Sequence, residues 1–264
     1  MSGSEELKVK PKLSRRTSMT GMELKAGNDA VVDKGIPDVD LLGFVKFLPV
    51  FLLSPLVTSA ITFVVAIKIY QTGDTALYDK NIDRLAESQQ GWTYLSAVVF
   101  NLTVAWVNNY PMLYKSMIMR FTSGNLRANM QIYKQYGKDA TAGYVLLETA
   151  GPVGSYNRAN RSLTHLVENS IPVALLILLS GGVYPFPTFV LTGIFGAGRV
   201  LHQVGYASIG YGAHGPGFAA ASGATFTLQM LCFLAADKSL ELGLHDTFAA
   251  AVNPYLNSTL KMEL

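Results

Sequence analysis

The chain has 264 residues, 50% of them hydrophobic, with a mean hydropathy of +0.27 and a formal net charge of +3. Charged residues make up only 15%, against about 25% in a typical soluble domain, so the composition argues for a chain that spends much of its length in lipid. It excludes a disordered, collagenous or disulfide-scaffold protein, and so small a net charge gives no reason to expect a nucleic-acid partner.

Residues 1–40 carry seven Lys/Arg and seven Asp/Glu and no long apolar run, which predicts an exposed, disordered tail without a cleaved leader. Arg15-Arg16-Thr17-Ser18 has the make-up of a kinase site, but also of a plain solvated basic patch. Phe47–Ile67, bracketed by Lys46 and Lys68, and Gly91–Tyr114, running up to Lys115, are each long enough for one crossing of about 20 residues. Asn169–Gly198 holds no charge but is interrupted by Gly181-Gly182-Val183-Tyr184-Pro185-Phe186-Pro187, a strong turn signal. It reads as a hairpin of two crossings. Gly217–Ala236 is the last. The expected helices are about 42–70, 91–120, 158–181, 187–207 and 217–237. Pro49 and Pro55 offer a kink in the first, and kinks are common in membrane helices. The only cysteine, Cys232, excludes an internal disulfide and a cysteine metal cluster.

Charge orients these helices. From Lys115 to Arg161 the chain holds seven Lys/Arg and only Asp139 and Glu148, so this loop is expected in the cytosol together with the N-terminal tail. The loop with Asp74, Asp79, Asp83 and Glu87 and the C-terminus then face the lumen, where Asn257-Ser258-Thr259 fits a glycosylation acceptor. The expected organisation is a cytosolic tail (1–40), an added membrane helix with an acidic loop (41–90), a four-helix membrane domain (91–240) and a lumenal tail (241–264). Asn101, Asn108 and Asn109, with the small residues Ala219–Ala224, suggest a tightly packed bundle within an oligomer.

Ionisable residues inside membrane helices are costly and mark candidate sites. Arg161, His165 and Glu168 fall at i, i+4 and i+7 of one helix, and Arg199, His202 and Tyr206 at i, i+3 and i+7 of the next. His165 lies 19 residues before Tyr184 and His202 lies 18 after it. At about 1.5 Å per residue both sit roughly 27 Å from the turn, so the two polar faces meet at one level near the cytosolic boundary. Other readings stand beside this pocket. Arg158, Arg161 and Arg199 are able to snorkel to headgroups, and Glu168 to pair with Arg161 or Arg199 for packing alone. His165, Glu168, His202 and His214 would be the metal ligands, but no second carboxylate supports them, so no metal site is expected. No serine or cysteine nucleophile with an orienting base is visible.

Arg158-Ala159-Asn160-Arg161 through Glu168-Asn169 and Pro172, with Gly198-Arg199-Val200-Leu201-His202-Gln203-Val204-Gly205-Tyr206, resembles the membrane-associated proteins in eicosanoid and glutathione metabolism. These include microsomal glutathione transferases and leukotriene C4 synthase. The resemblance covers about residues 91–237. It implies an all-α integral membrane fold: a four-helix bundle of the microsomal glutathione transferase type, here with one extra N-terminal transmembrane helix. It further implies a homotrimer in the endoplasmic reticulum or another intracellular membrane, with glutathione as co-substrate between subunits and a hydrophobic small molecule arriving from membrane lipid.

By the resemblance, Arg161 holds a glutathione carboxylate, Glu168 meets the amine or amide groups, and Arg199 and Tyr206 complete the pocket. Lys115 or Arg120 stands for a basic residue lent by the neighbouring subunit. Arginine forks suit carboxylates and an acid suits the ammonium. His165 stands where the family usually has Asn, Asn169 replaces a tyrosine seen in one branch, and His202 replaces a tyrosine.

The family's loop arginine, which stabilises the thiolate, is absent. That window reads Ala213-His214-Gly215, and no Lys or Arg occurs between Arg199 and Lys238. Lowering a thiol's pKa from about 8.5 by about two units takes roughly 2.7 kcal/mol. A histidine, mostly neutral at pH 7, supplies less than a fixed guanidinium. His214 and His202 are therefore the candidate catalytic residues, as donors or bases. The expected function is a glutathione-dependent transferase or peroxidase acting on hydrophobic electrophiles or lipid hydroperoxides by thiolate attack. The alternative is a non-catalytic lipid-binding or scaffolding relative.

Overall fold

A computed structural model describes residues 41–118, 130–136 and 144–248. The predicted tail at 1–40, Arg120 and the acceptor at Asn257 lie outside these. The order is α1 (Leu41–Thr72), α2 (Thr75–Glu87), α3 (Gly91–Met117), β1 (Tyr133–Tyr136), β2 (Tyr144–Leu147), α4 (Gly151–Val183), α5 (Pro185–Ser208) and α6 (Gly215–Ser239). The protein is an all-α membrane protein with a four-helix bundle, α3–α6, and one added membrane helix, α1. Val45–Thr72, Gly151–Val183 and Gly215–Ser239 are long and apolar enough to cross a membrane. α3 and α5, with 27 and 24 residues, run alongside them.

Three elements depart from expectation. The acidic segment after α1 is a helix rather than a loop, because Asp74 caps it by accepting from the Leu77 N–H at 3.1 Å. The basic connection before α4 contains an antiparallel hairpin pairing Tyr133 with Leu147 and Tyr136 with Tyr144. α4 begins at Gly151, about two turns earlier than Arg158, with proline in its first turn where no N–H is needed. α1 runs continuously through Pro49 and Pro55.

Tyr184 alone joins α4 to α5: its N–H bonds Ser180 O at 2.6 Å and its carbonyl accepts from Thr188 N at 3.0 Å. At this turn end, Gln90 Nε2 and Thr93 Oγ1 donate to the carbonyls of Gly182 and Gly181 at 3.2 and 2.8 Å. These carbonyls lie in the last turn of α4, where no intrahelical partner remains. In the last turn of α6 the buried Asp237 accepts from the N–H groups of Leu244 and His245, both at 3.0 Å, and from His245 Nδ1 at 2.6 Å.

The core has two parts. Val107, Leu163, Leu166, Val173, Ile177, Phe195 and Leu228 fill the bundle between α3, α4, α5 and α6. Nearer the opposite end, Phe47 and Phe51 of α1 meet Tyr110 edge-on at 5.1 and 4.9 Å, above Tyr156 and Ala207. Trp106 Nε1 donates to Leu52 O at 2.9 Å. From Leu56 to Thr72, α1 is exposed. Asn101 and Asn108 also face outward from α3 rather than into the bundle.

Candidate functional site

The site lies at the end of the bundle away from Tyr184, and small residues create it. A Cβ on Gly198 would press on the backbone of Ala221 and Gly217, and one on Gly217 would strike the His202 backbone. α5 and α6 therefore approach backbone to backbone, as membrane helices do over small residues. On the other side of α5, Gln203 Nε2 donates to Val107 O at 2.8 Å and Ala159 O at 3.2 Å, linking α3, α4 and α5.

Arg199 is buried between α4 and α5. Its Nη1 is 2.9 Å from His165 Nδ1, and its Nη2 donates to Ser162 O at 2.9 Å. A guanidinium can only donate, so His165 Nδ1 accepts. His165 is thereby the neutral imidazole that carries its proton on Nε2. The Arg199 Nε has no hydrogen-bond partner among the described residues. Ser162 also acts through its hydroxyl, which lies 2.9 Å from His202 Nδ1. Both partners are buried.

A column of rings runs outward from there. His165 stacks on His202 with centroids 6.1 Å apart and 23° between planes. His202 meets His214 at 5.2 Å, and His214 meets Tyr206 at 5.1 Å and Tyr211 at 5.2 Å. Phe218 of α6 covers His165 and His202 at 6.1 and 6.3 Å. His214 holds the residue position before α6, with its Nδ1 3.3 Å from Gly212 N. Among the described residues no group of three His, Cys, Asp or Glu is arranged to hold a metal ion.

The structure thus brings His165, Arg199, His202, Tyr206 and His214 together. Arg161, Glu168 and Asn169 lie beside His165 on α4 but are exposed. Asn169 Nδ2 donates to His165 O at 2.7 Å. Neither Arg161 nor Glu168 forms an ion pair with another described residue; Arg199, the other candidate partner for Glu168, is turned to His165 and Ser162 instead. Lys115 sits half-buried in the last turn of α3 at the same end.

Arg158 does not snorkel. Its Nε donates to Tyr206 O at 2.8 Å and its Nη2 to Ala207 O at 3.0 Å, tying α4 to the last turn of α5. Ser162, Gln203 and Phe218 are the residues that reading the sequence missed. Ser162 had a signal: with His165 it forms an i, i+3 pair that mirrors Arg199 and His202 across the hairpin.

No curated protein and no solved structure gives a match to this chain. A family model described as the MAPEG family, the membrane proteins of glutathione and eicosanoid metabolism, matches residues 92–234, more than half the chain. Its span starts in the first turn of α3 and ends within α6, so it takes in the whole ring column and leaves out α1 and α2. The chain belongs to the MAPEG family.

Proposed function

We propose that the protein is a membrane-embedded glutathione-dependent transferase or peroxidase acting on hydrophobic electrophiles or lipid hydroperoxides. The observation that carries this reading is that Arg161 and Glu168, exposed and in no ion pair with another described residue, flank His165 on α4, where His165 begins the ring column that leads through His202 to His214 and Tyr206. In this reading Arg161 takes a glutathione carboxylate, Glu168 the ammonium, and Asn169 and Tyr206 complete the cradle. Arg199 reaches the peptide only through His165. The imidazoles of His202 and His214 donate hydrogen bonds to the sulfur or take its proton. The thiolate sulfur then attacks the electrophilic carbon, forming a C–S bond as the leaving group departs or a π bond opens and takes up the proton. With a hydroperoxide it attacks the outer oxygen, breaking O–O to release the alcohol and leave glutathione sulfenic acid, which a second glutathione converts to the disulfide and water.

Arg161 and Glu168 would be poor company for lipid, and a homotrimer covers them. Lys115 or Arg120 of the neighbour then adds a cation. The four-helix unit is residues 91–240, with 41–90 an addition to it. The endoplasmic reticulum or a similar intracellular membrane suits such a protein.

The test is a glutathione titration of the purified trimer, following binding heat and the ultraviolet absorbance of the thiolate. Saturable binding with thiolate formation near neutral pH is expected. A second reading, a non-catalytic lipid-binding or scaffolding member, is favoured by one observation: the guanidinium at the ring column, Arg199, is committed inward. Absence of glutathione binding would establish that reading instead.

A further inference from the structure

α2 has no buried residue, yet its sequence is two-sided. Tyr78, Ile82, Leu85 and Ala86 fall on one apolar stripe about 100° wide, while Asp79, Asp83, Glu87, Lys80 and Arg84 occupy the other side. Apart from Tyr78, which packs on Tyr70, and the half-buried Leu85, no described residue covers this stripe, and such a face needs another apolar phase. The ends of α2 say which. Only Gly73 and Asp74 separate it from α1, a membrane-crossing helix, and only Ser88, Gln89 and Gln90 separate it from α3. α2 is therefore held within a few residues of the bilayer edge at both ends.

The corner with α1 is built rather than slack. The Tyr70 hydroxyl donates to Asp79, the Tyr70 and Tyr78 rings pack at 6.2 Å, and a Cβ on Gly73 would collide with the Tyr78 ring. At its other end the apolar stripe runs into a groove of about 370 Å³ lined by Leu85, Ala86, Gln89, Gly91, Trp92 and Leu95. Trp92 packs against Phe186 and Phe189 at 5.1 Å and remains 37% exposed. Its indole N–H has no partner among the described residues. That combination, an apolar ring with an unused donor, suits the headgroup level of a bilayer.

We infer that α2 is an interfacial helix lying in the leaflet at the turn end, with phospholipid acyl chain along its apolar stripe and in the groove beside Trp92. Three acidic side chains against two basic ones give it no attraction to anionic lipid, so a zwitterionic phospholipid is the expected occupant. This inference does not depend on glutathione.

The full chain in phosphatidylcholine nanodiscs tests it. Single cysteines are placed at Ile82, Asp83, Ala86 and Glu87 in a Cys232→Ser background and spin-labelled. The ratio of oxygen to water-soluble nickel collisions should be several-fold higher at Ile82 and Ala86 than at Asp83 and Glu87. High nickel access at all four would place the helix in water and overturn the inference. Low access to both reagents at Ile82 and Ala86 would mean that protein covers the stripe, which also overturns it. A separate readout uses Trp106→Phe, which leaves Trp92 as the sole tryptophan. Phosphatidylcholine brominated near the glycerol should quench it more than lipid brominated near the chain end, and equal or no quenching would count against it.

Discussion

Arg199 spends two of its donors inside its own subunit, one on His165 Nδ1 at 2.9 Å and one on Ser162 O at 2.9 Å. The arginine thereby fixes which nitrogen of His165 carries the proton, and Ser162 holds the next imidazole by its Nδ1. Arg199→Met should release His165, so that its imidazole nitrogen–proton correlations change from a pure Nε2–H pattern to a mixture of tautomers. His202, which rests on Ser162, should keep its pattern. Histidine-selective nitrogen-15 NMR of the protein without ligand reads both rings at once, and an unchanged His165 spectrum would contradict the hydrogen-bond assignment.

Ser162→Ala removes the hydroxyl but keeps the carbonyl that Arg199 uses. His202 then has a buried nitrogen without a partner, which costs about 1–3 kcal/mol. The thermal midpoint in detergent should fall, and Ser162→Thr should recover it. A Ser162→Ala midpoint equal to wild type would mean that another group reaches His202.

Arg161→Leu should leave the fold intact, because Arg161 is exposed and pairs with no described acid. Loss of a charge-assisted hydrogen bond worth about 1.5–3 kcal/mol should weaken glutathione binding by about 10- to 150-fold. Calorimetry checks this, and wild-type affinity in the variant would remove Arg161 from the binding pose.

Gly217→Ala places a methyl group against the His202 backbone, where no flexible side chain can give way. Gly223→Ala, on the same helix, meets nothing within 4 Å. The first should lower the thermal midpoint sharply or abolish recovery of folded protein. The second should be neutral, and comparison of the two separates helix crossing from helix propensity.

Phe47→Ala with Phe51→Ala strips the contact that seats α1 on Tyr110. In a soluble core each Phe→Ala change costs about 3–5 kcal/mol. The cost here is smaller, because lipid solvates the freed surface and only packing is lost. Limited proteolysis in detergent should cut between α1 and α3 faster in the variant, while the bundle itself stays intact.

The crossings in α1, α4 and α6 were legible because a charge-free run of about 20 residues matches the thickness of the hydrocarbon core, and helices of soluble proteins seldom go so long without a charge. The coincidence of level between His165 and His202 was legible too, since one turn residue and a fixed rise per residue determine it. What composition did not reveal was the partner of each charge. Arg158, Arg161 and Arg199 are alike as residue types, yet one ties α4 to the end of α5, one stands exposed, and one lies buried against a histidine. Such differences depend on rotation of α4 against α5, which periodicity leaves open by a residue. α2 was hidden for another reason: its charges resemble a loop until its apolar residues are spaced by turns.

Ser162 serves two helix-α5 side chains from a single residue, with its carbonyl turned to Arg199 and its hydroxyl to His202. A few degrees of roll of α4 about its own axis would withdraw both partners in the same motion. Arg199 and His202 therefore respond together, and any contact that twists α4 acts on both.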